Sequence, residues 1–280
     1  PSTILTRAAV GTAAVNATET MSFTDQLEAN LVMASAGCNF YSGIENMKFP
    51  VISGVNSYFQ PEDGGTAGAA NGTATSITLS PKKLISVVNV SNEALTQNVS
   101  LEAALRRNMA QSIAAQLEKA LLGEVDIANG PTSIFLDAAA GSVAAFDAST
   151  ALALEAAVLD AGVQLEGARM AYLMNSASYQ AIKVAAMVSS VSPAYDMREK
   201  LVNSYFSLFS SNVGNGGTAG KDAVLFGDFS KVHIAQFGGL DFLYDPYTNG
   251  STGEPRMIVT SLVDGDAVQN GAAFANLIEA

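Results

Sequence analysis

From Ser100 to Glu124 the chain reads SLEAALRRNMAQSIAAQLEKALLGE, with Leu101, Leu105, Met109, Ile113, Leu117 and Leu121 at every fourth position. Apolar residues at that spacing share one face of an α-helix. Ala104 and Ala120 widen the stripe, while Arg106, Arg107, Asn108, Glu118 and Lys119 fall off it. Ser100 suits the N-cap, Glu102 the positive helix start and Gly123 the stop. At ~1.5 Å per residue the helix would be roughly 35 Å long. A four-residue step overshoots the ~3.6-residue turn, so the stripe winds around the axis and must meet several partners. The pattern predicts a spine against which non-consecutive pieces pack; an ordinary core helix is the plainer reading.

Elsewhere the period changes. Residues 1–20, PSTILTRAAVGTAAVNATET, carry neither a helical nor a strand period and predict an extended arm. SFTDQLEANLV, Ser22 to Val32, offers a short helix through Phe23, Leu27 and Leu31. MKFPVISGVNSYFQ and SITLSPKKLISVVNVS then alternate apolar and polar residues as the two strands of a hairpin. Between them Pro61 to Ser76, PEDGGTAGAANGTATS, holds no strongly apolar residue and cannot bury itself. That tip is either a surface loop or an arm ordered by another subunit.

Beyond the spine, a turn at Asn129, Gly130 and Pro131 opens a second region. Ser149 is placed to cap a helix over 150–161 that Gly162 ends, RMAYLM (169–174) predicts a strand, and Asn175 or Ser176 caps a further helix. Residues 189–222 read as loop, followed by strands in AVLFGDF, KVHIAQF, LDFLYD, RMIVTSLV and VQNGAAFANLI. Helices and strands segregate as in an α+β protein rather than alternating as in a doubly wound sheet.

With 49% hydrophobic residues in 280, the chain has ample material for a core. Only 14% of residues are charged, which suits a surface largely covered by neighbours. Fourteen Lys and Arg against twenty-six Asp and Glu give a net charge of -12, which argues against a dedicated DNA-binding role. Cys38 is the sole cysteine and reads as a small buried hydrophobe. No apolar run approaches the ~20 residues of a membrane helix, and no membrane partner is expected.

Candidate chemistry is thin. VGNGGTAGKD (213–222) has dinucleotide-loop glycine spacing, but it precedes a strand instead of opening a helix, and Asp222 stands where a nucleotide loop needs Ser or Thr. Asp264, Gly265 and Asp266 have the look of a calcium loop, but Val268 and Gln269 break it, and a tight turn between strands is expected there. His233, the only histidine, sits in a strand alternation with no nucleophile elbow in the chain, and reads as structural. Asp126, Asp137, His233, Asp241 and Asp245 form a nominal polar pool that no motif arranges. The sequon at Asn71 has no secretory context. No catalytic residue, cofactor or metal is expected.

The order of arm, glycine-tipped hairpin, spine helix, helix and strand module and final strands resembles the major capsid protein of tailed bacteriophages with the Hong Kong 97 type fold. The segment from Ile77 to Gly123, ITLSPKKLISVVNVSNEALTQNVSLEAALRRNMAQSIAAQLEKALLG, is similar to the family's passage from hairpin to spine, and LEGARMAYLMNSASYQAIKVA and AVLFGDFSKVHIAQF look like it as well. The resemblance implies an arm and short helix over 1–31, peripheral-domain pieces at 32–47, 85–128 and 235–270, an extended hairpin over 48–84, an axial domain over 129–234 and a C-terminal strand over 271–280 returning to it. It also implies a non-enzymatic shell protein, assembled in the host bacterial cytoplasm into hexamers and pentamers of an icosahedral head around double-stranded DNA that it does not read by sequence. Portal, scaffold, a maturation protease and a decoration or cement protein are its implied partners, and Pro1 followed by an arm is what a protease cut would leave. Phe59, Pro61, Glu62, Asp63, Arg106 and Arg107 are the implied intersubunit contacts. An encapsulin-like compartment shell and a soluble α+β enzyme are the competing readings.

Overall fold

The computed structural model describes residues 31–43, 45–53, 59, 73–98, 100–143, 146–163, 169–188, 195–196, 201–214, 221–249 and 252–279. The arm over 1–20, most of the helix expected from Ser22, and Pro61, Glu62 and Asp63 lie outside them. The described chain opens on a short helix α1 (Val32–Ala36), followed by strands β1 (Asn39–Gly43), β2 (Met47–Ser53), β3 (Thr73–Leu79) and β4 (Lys82–Asn89). Helix α2 (Asn92–Gln97) leads into the spine, α3 (Leu101–Leu122), and then the one-turn α4 (Ile134–Asp137). Next come β5 (Ala139–Val143), α5 (Ala148–Asp160), β6 (Met170–Met174), α6 (Ser176–Val188) and the short strands β7 (Tyr195–Asp196), β8 (Leu201–Val202) and β9 (Tyr205–Phe209). The chain closes with β10 (Ala223–Asp228), β11 (Val232–Asp245), β12 (Arg256–Ala267), α7 (Asn270–Ala273) and β13 (Phe274–Glu279).

These strands form a four-stranded sheet in the order β1-β11-β12-β4, a seven-stranded sheet in the order β5-β13-β10-β6-β9-β8-β7, and the separate ribbon β2-β3. Both larger sheets are mixed: β1 runs parallel to β11, and β5 and β9 run parallel to β13 and β6, while the other pairs are antiparallel.

All six residues of the spine stripe are buried, and the winding of the stripe sends its two halves to different partners. Leu101, Leu105, Met109 and Ile113 pack with Val90, Ala94, Met257 and Val259 under the four-stranded sheet. Leu117, Leu121 and Leu122 join a larger cluster that also takes Phe135 from α4, Leu173 and Leu225 from the seven-stranded sheet, Ile234 and Val263 from the four-stranded one, and Phe274. One core therefore runs through both sheets, and the spine is the member common to both ends. A second cluster, with Leu154, Val158, Tyr172 and Phe226, fills the seven-stranded sheet against α5.

Several local expectations are corrected. Ser100 does not cap the spine through its side chain; Asn98 Oδ1 accepts from the Ser100 N–H at 3.1 Å instead. Asp147, not Ser149, caps α5, in a reciprocal capping box with Thr150. The expected second hairpin strand is two strands: Ser80 and Pro81 break it, so β3 pairs with β2 while β4 crosses to β12. KVHIAQF and LDFLYD are one strand, β11, with a register shift between Phe237 and Asp241. Asp264, Gly265 and Asp266 are no turn but the interior of β12, opposite Ala235, Ile234 and His233. VQNGAAFANLI begins with a turn and the one-turn α7 before β13.

Candidate intersubunit surface

Strand β4 shows how one surface of the four-stranded sheet is left bare. Leu84 and Val88 pack toward the spine, so by the two-residue alternation of a strand Ile85 and Val87 point to the opposite face, where each is 48% exposed. Residues directly opposite in an antiparallel pair share a face. The register aligns Val87 with Ile258 and Leu243, Ile85 with Thr260 and Asp241, and Lys83 with Leu262 and Phe237. Leu243 and Leu262 are exposed as well.

At one end of this outer face the hairpin root covers the sheet. Met47, Phe49 and Ile77 pack against buried Leu79, Ala235 and Phe237. Nearby, Asp264, 2% exposed, forms an ion pair with Lys82 at 2.9 Å and accepts from the Ser80 N–H at 2.9 Å, which fixes the corner where the chain leaves the ribbon for β4. Further along, the strip of Ile85, Val87, Leu243 and Leu262 has no cover within the described residues. Thr260, Asp241 and Lys83 stand among these residues in register, so the face is apolar but interrupted, of the kind that marks an interaction site.

Of the sequence-selected contact residues, Phe59 is fully exposed. Arg106 is tied within its own subunit: it pairs with Glu102 one turn back at 2.6 Å, and its guanidinium lies 5.6 Å from the centroid of the Phe242 ring. Arg107 is exposed on the adjacent helix position. Beyond Phe242, Tyr244 and Tyr247 are exposed at the far end of β11. The strip on β4, β11 and β12 was missed by sequence reading, because Ile85 and Val87 are indistinguishable in type from the core residues they alternate with.

The nominal polar pool is not gathered into a site. Asp126 accepts from the Ser133 N–H at 2.9 Å in the loop after the spine, Asp245 accepts from Tyr247 and Thr248 at the end of β11, Asp137 ends α4, and His233 is packed against aromatic rings. Among the described residues no group of His, Cys, Asp and Glu is placed to hold a metal ion. Cys38 is buried, and burial pushes its thiol up to about 12, as expected of a packing residue.

Fold and surface together define a structural subunit. Residues 11–277 match the Phage capsid family, and the chain belongs to it as a structural major capsid protein. No curated protein matches the sequence. Among solved structures the chain is similar to the capsid of a native GTA particle, at 18% identity with 94% of each chain covered and a TM-score of 0.67. It is likewise similar to a chain of Mycobacterium phage Bobi, at 14% identity, 95% of each chain and 0.68. A chain of Mycobacterium phage Adephagia matches at 14% identity over 98% of this chain and 99% of that one, with a TM-score of 0.68. Identities this low establish the fold, which is of the Hong Kong 97 type.

Proposed function

We propose that the chain assembles into hexamers and pentamers of an icosahedral phage head around double-stranded DNA, and that the hairpin of one subunit lies on the outer sheet face of the next. In this reading the four-stranded sheet with the spine is the peripheral domain, the seven-stranded sheet the axial domain and the β2-β3 ribbon the root of the extended loop. The observation that carries it is the uncovered strip of Ile85, Val87, Leu243 and Leu262, which continues the surface on which the subunit's own hairpin root already sits. Heterologous contacts of this kind, repeated by rotation, close rings. Phe59, Pro61, Glu62 and Asp63 then belong to the part of the loop that reaches the neighbour, and Arg106 and Arg107 to the spine edge beside it.

The net charge of -12 keeps packaged DNA from adhering to the lattice. Assembly takes place in the host bacterial cytoplasm with a portal, a scaffold and a maturation protease, and a decoration protein on the outside is compatible with the low surface charge.

The test is Val87→Asp, a half-exposed position where a charge costs the free subunit little. Electron microscopy and size-exclusion chromatography should find folded subunits with a near-native melting profile and no particles. Normal particles from this variant would overturn the assignment of the strip. Particles that form but carry protein cargo in place of DNA would point to a compartment shell.

A further inference from the structure

The only histidine of the chain sits where three separate strands meet. His233 on β11 stacks on Phe49 of β2, with centroids 4.3 Å apart and an interplanar angle of 12°. Tyr41 of β1 closes the group, 5.3 Å from Phe49 and 5.5 Å from His233, and its hydroxyl lies 3.2 Å from His233 Nδ1. The β2-β3 ribbon belongs to neither large sheet. Its root is held to the four-stranded sheet by this stack and by the small apolar cluster around Phe237.

We infer that Tyr41, Phe49 and His233 form a pH-sensitive clasp: neutral His233 holds the hairpin root on the sheet, and protonation of the ring loosens it. In the Nε2–H tautomer of the neutral ring Nδ1 accepts from the Tyr41 hydroxyl, and the flat face lies on Phe49 without a charge to desolvate. Protonation places a cation in a half-buried position between two rings.

The groups around the ring decide the direction. Just before its strand, Lys231 repels the imidazolium. Across on β12 stands Asp266, the register partner of His233, with Asp264 two residues before it committed to Lys82. Asp266 attracts the imidazolium, yet burial raises its own pKa, which weakens it as a counter-ion on acidification. From β1 the neighbour in register is the uncharged Asn39, and on β2 Lys48 alternates with Phe49 and so lies on the opposite face of the ribbon. Phe49 itself offers the cation a favourable ring face. Burial, followed by Lys231, holds the imidazole below its ordinary value of 6.5. The docked root therefore prefers the neutral ring, and acidification works against docking. This rests on contacts within one subunit and does not depend on where the loop lies on a neighbour.

Hydrogen exchange of the full chain, corrected for intrinsic rates, tests the clasp between about pH 7.5 and about pH 5. Amides of 47–53 and 73–79 should exchange several-fold faster at the acidic end, with 256–267 unchanged. In His233→Phe, which keeps a stacked ring and cannot titrate, the acid response of the root should vanish; should that variant fail to fold, His233→Gln supplies the same comparison. An equal acid response in the variant, or none in the wild type, would overturn the proposal.

Discussion

Glu118 of the spine accepts a hydrogen bond from the backbone N–H of Val32 at 2.9 Å, across 86 residues of sequence. The same carboxylate accepts from Asn212 Nδ2 at 3.1 Å, and the side chain is 1% exposed. It therefore ties α1, the spine and the loop after β9 at one point in the core. Burial raises its pKa above 4.5 against the opposing pull of the hydrogen bonds from Asn212, Val32, Ser210 and Met33. A carboxyl whose folded value is raised contributes most to stability below its unfolded value, and that contribution is lost as pH rises through the folded value. Glu118→Gln should flatten the fall of unfolding free energy from pH 4.5 upward, while costing about 1 kcal/mol at the acidic end for the acceptor it gives up. Urea unfolding at a series of pH values measures both, and an unchanged slope would show that Glu118 does not titrate in this range.

Two glycines test how closely neighbouring elements pack, one within the seven-stranded sheet and one between β12 and the spine. A Cβ on Gly227 of β10 would lie 2.4 Å from the Ala273 carbonyl oxygen and 2.9 Å from Phe274 Cα, so backbone must move. A Cβ on Gly265 would lie 3.1 Å from Leu121 Cδ2, the mobile end of a side chain. Gly227→Ala should cost about 2–3 kcal/mol and Gly265→Ala less than about 1 kcal/mol. Denaturation midpoints of the two variants check the order, and equal values would mean that the close approach of β10 to the start of β13 yields more easily than its geometry implies.

The spine was legible because burial on one face of a long helix leaves a four-residue period that nothing else produces, from Leu101 to Leu121. Asp264, Gly265 and Asp266 were illegible for the opposite reason. Their composition is that of a turn, but Gly265 leaves room where the strand passes close to Leu121, and Asp264 is tolerated in the interior because Lys82 neutralises it. Both causes lie far away in sequence. That β3 and β4 are two strands was illegible for a similar reason, since apolar alternation resumes after Ser80–Lys83 while the partner strand changes from β2 to β12. The outer strip escaped notice because alternation shows that Ile85 and Leu84 face opposite ways and not which way meets water.

The mid-spine position Ile113 lies in the cluster beneath the four-stranded sheet and is 6% exposed. Ile113→Asp places an unpaired carboxylate among Met109, Met257 and Val259 and should cost several kcal/mol, on the order of 3–5. Insoluble protein on expression is the expected outcome. Soluble protein that still assembles would show that the core can open to water at this point.

Arg106 separates stability from assembly. Its pair with Glu102 is exposed at both ends, with half of each side chain open to solvent, and such pairs contribute about 0–1 kcal/mol. Arg106→Ala should leave the melting curve of the free subunit nearly unchanged. A large drop in particle yield alongside that small effect would support its place at the subunit boundary, and normal yield would remove it from the contact set.

The last prediction concerns covalent bonding. Some proteins that this chain resembles link subunits through a lysine and an asparagine at the hairpin tip, and between Phe49 and Pro81 this chain has no lysine. Lys48 pairs in register with Thr78 at the hairpin base, Lys82 is occupied by Asp264, and Lys83 is the second residue of β4. At ~3.3 Å per residue along a strand, these amines stop about ten residues, or about 30 Å, short of the tip. The expectation is then a shell held by many weak contacts, chiefly apolar burial over the strip on β4, β11 and β12. Particles boiled in detergent and reducing agent should release one band near 28.8 kDa. A ladder of covalent oligomers would show that a lysine elsewhere, with Lys221 and Lys231 the first to substitute, performs the chemistry.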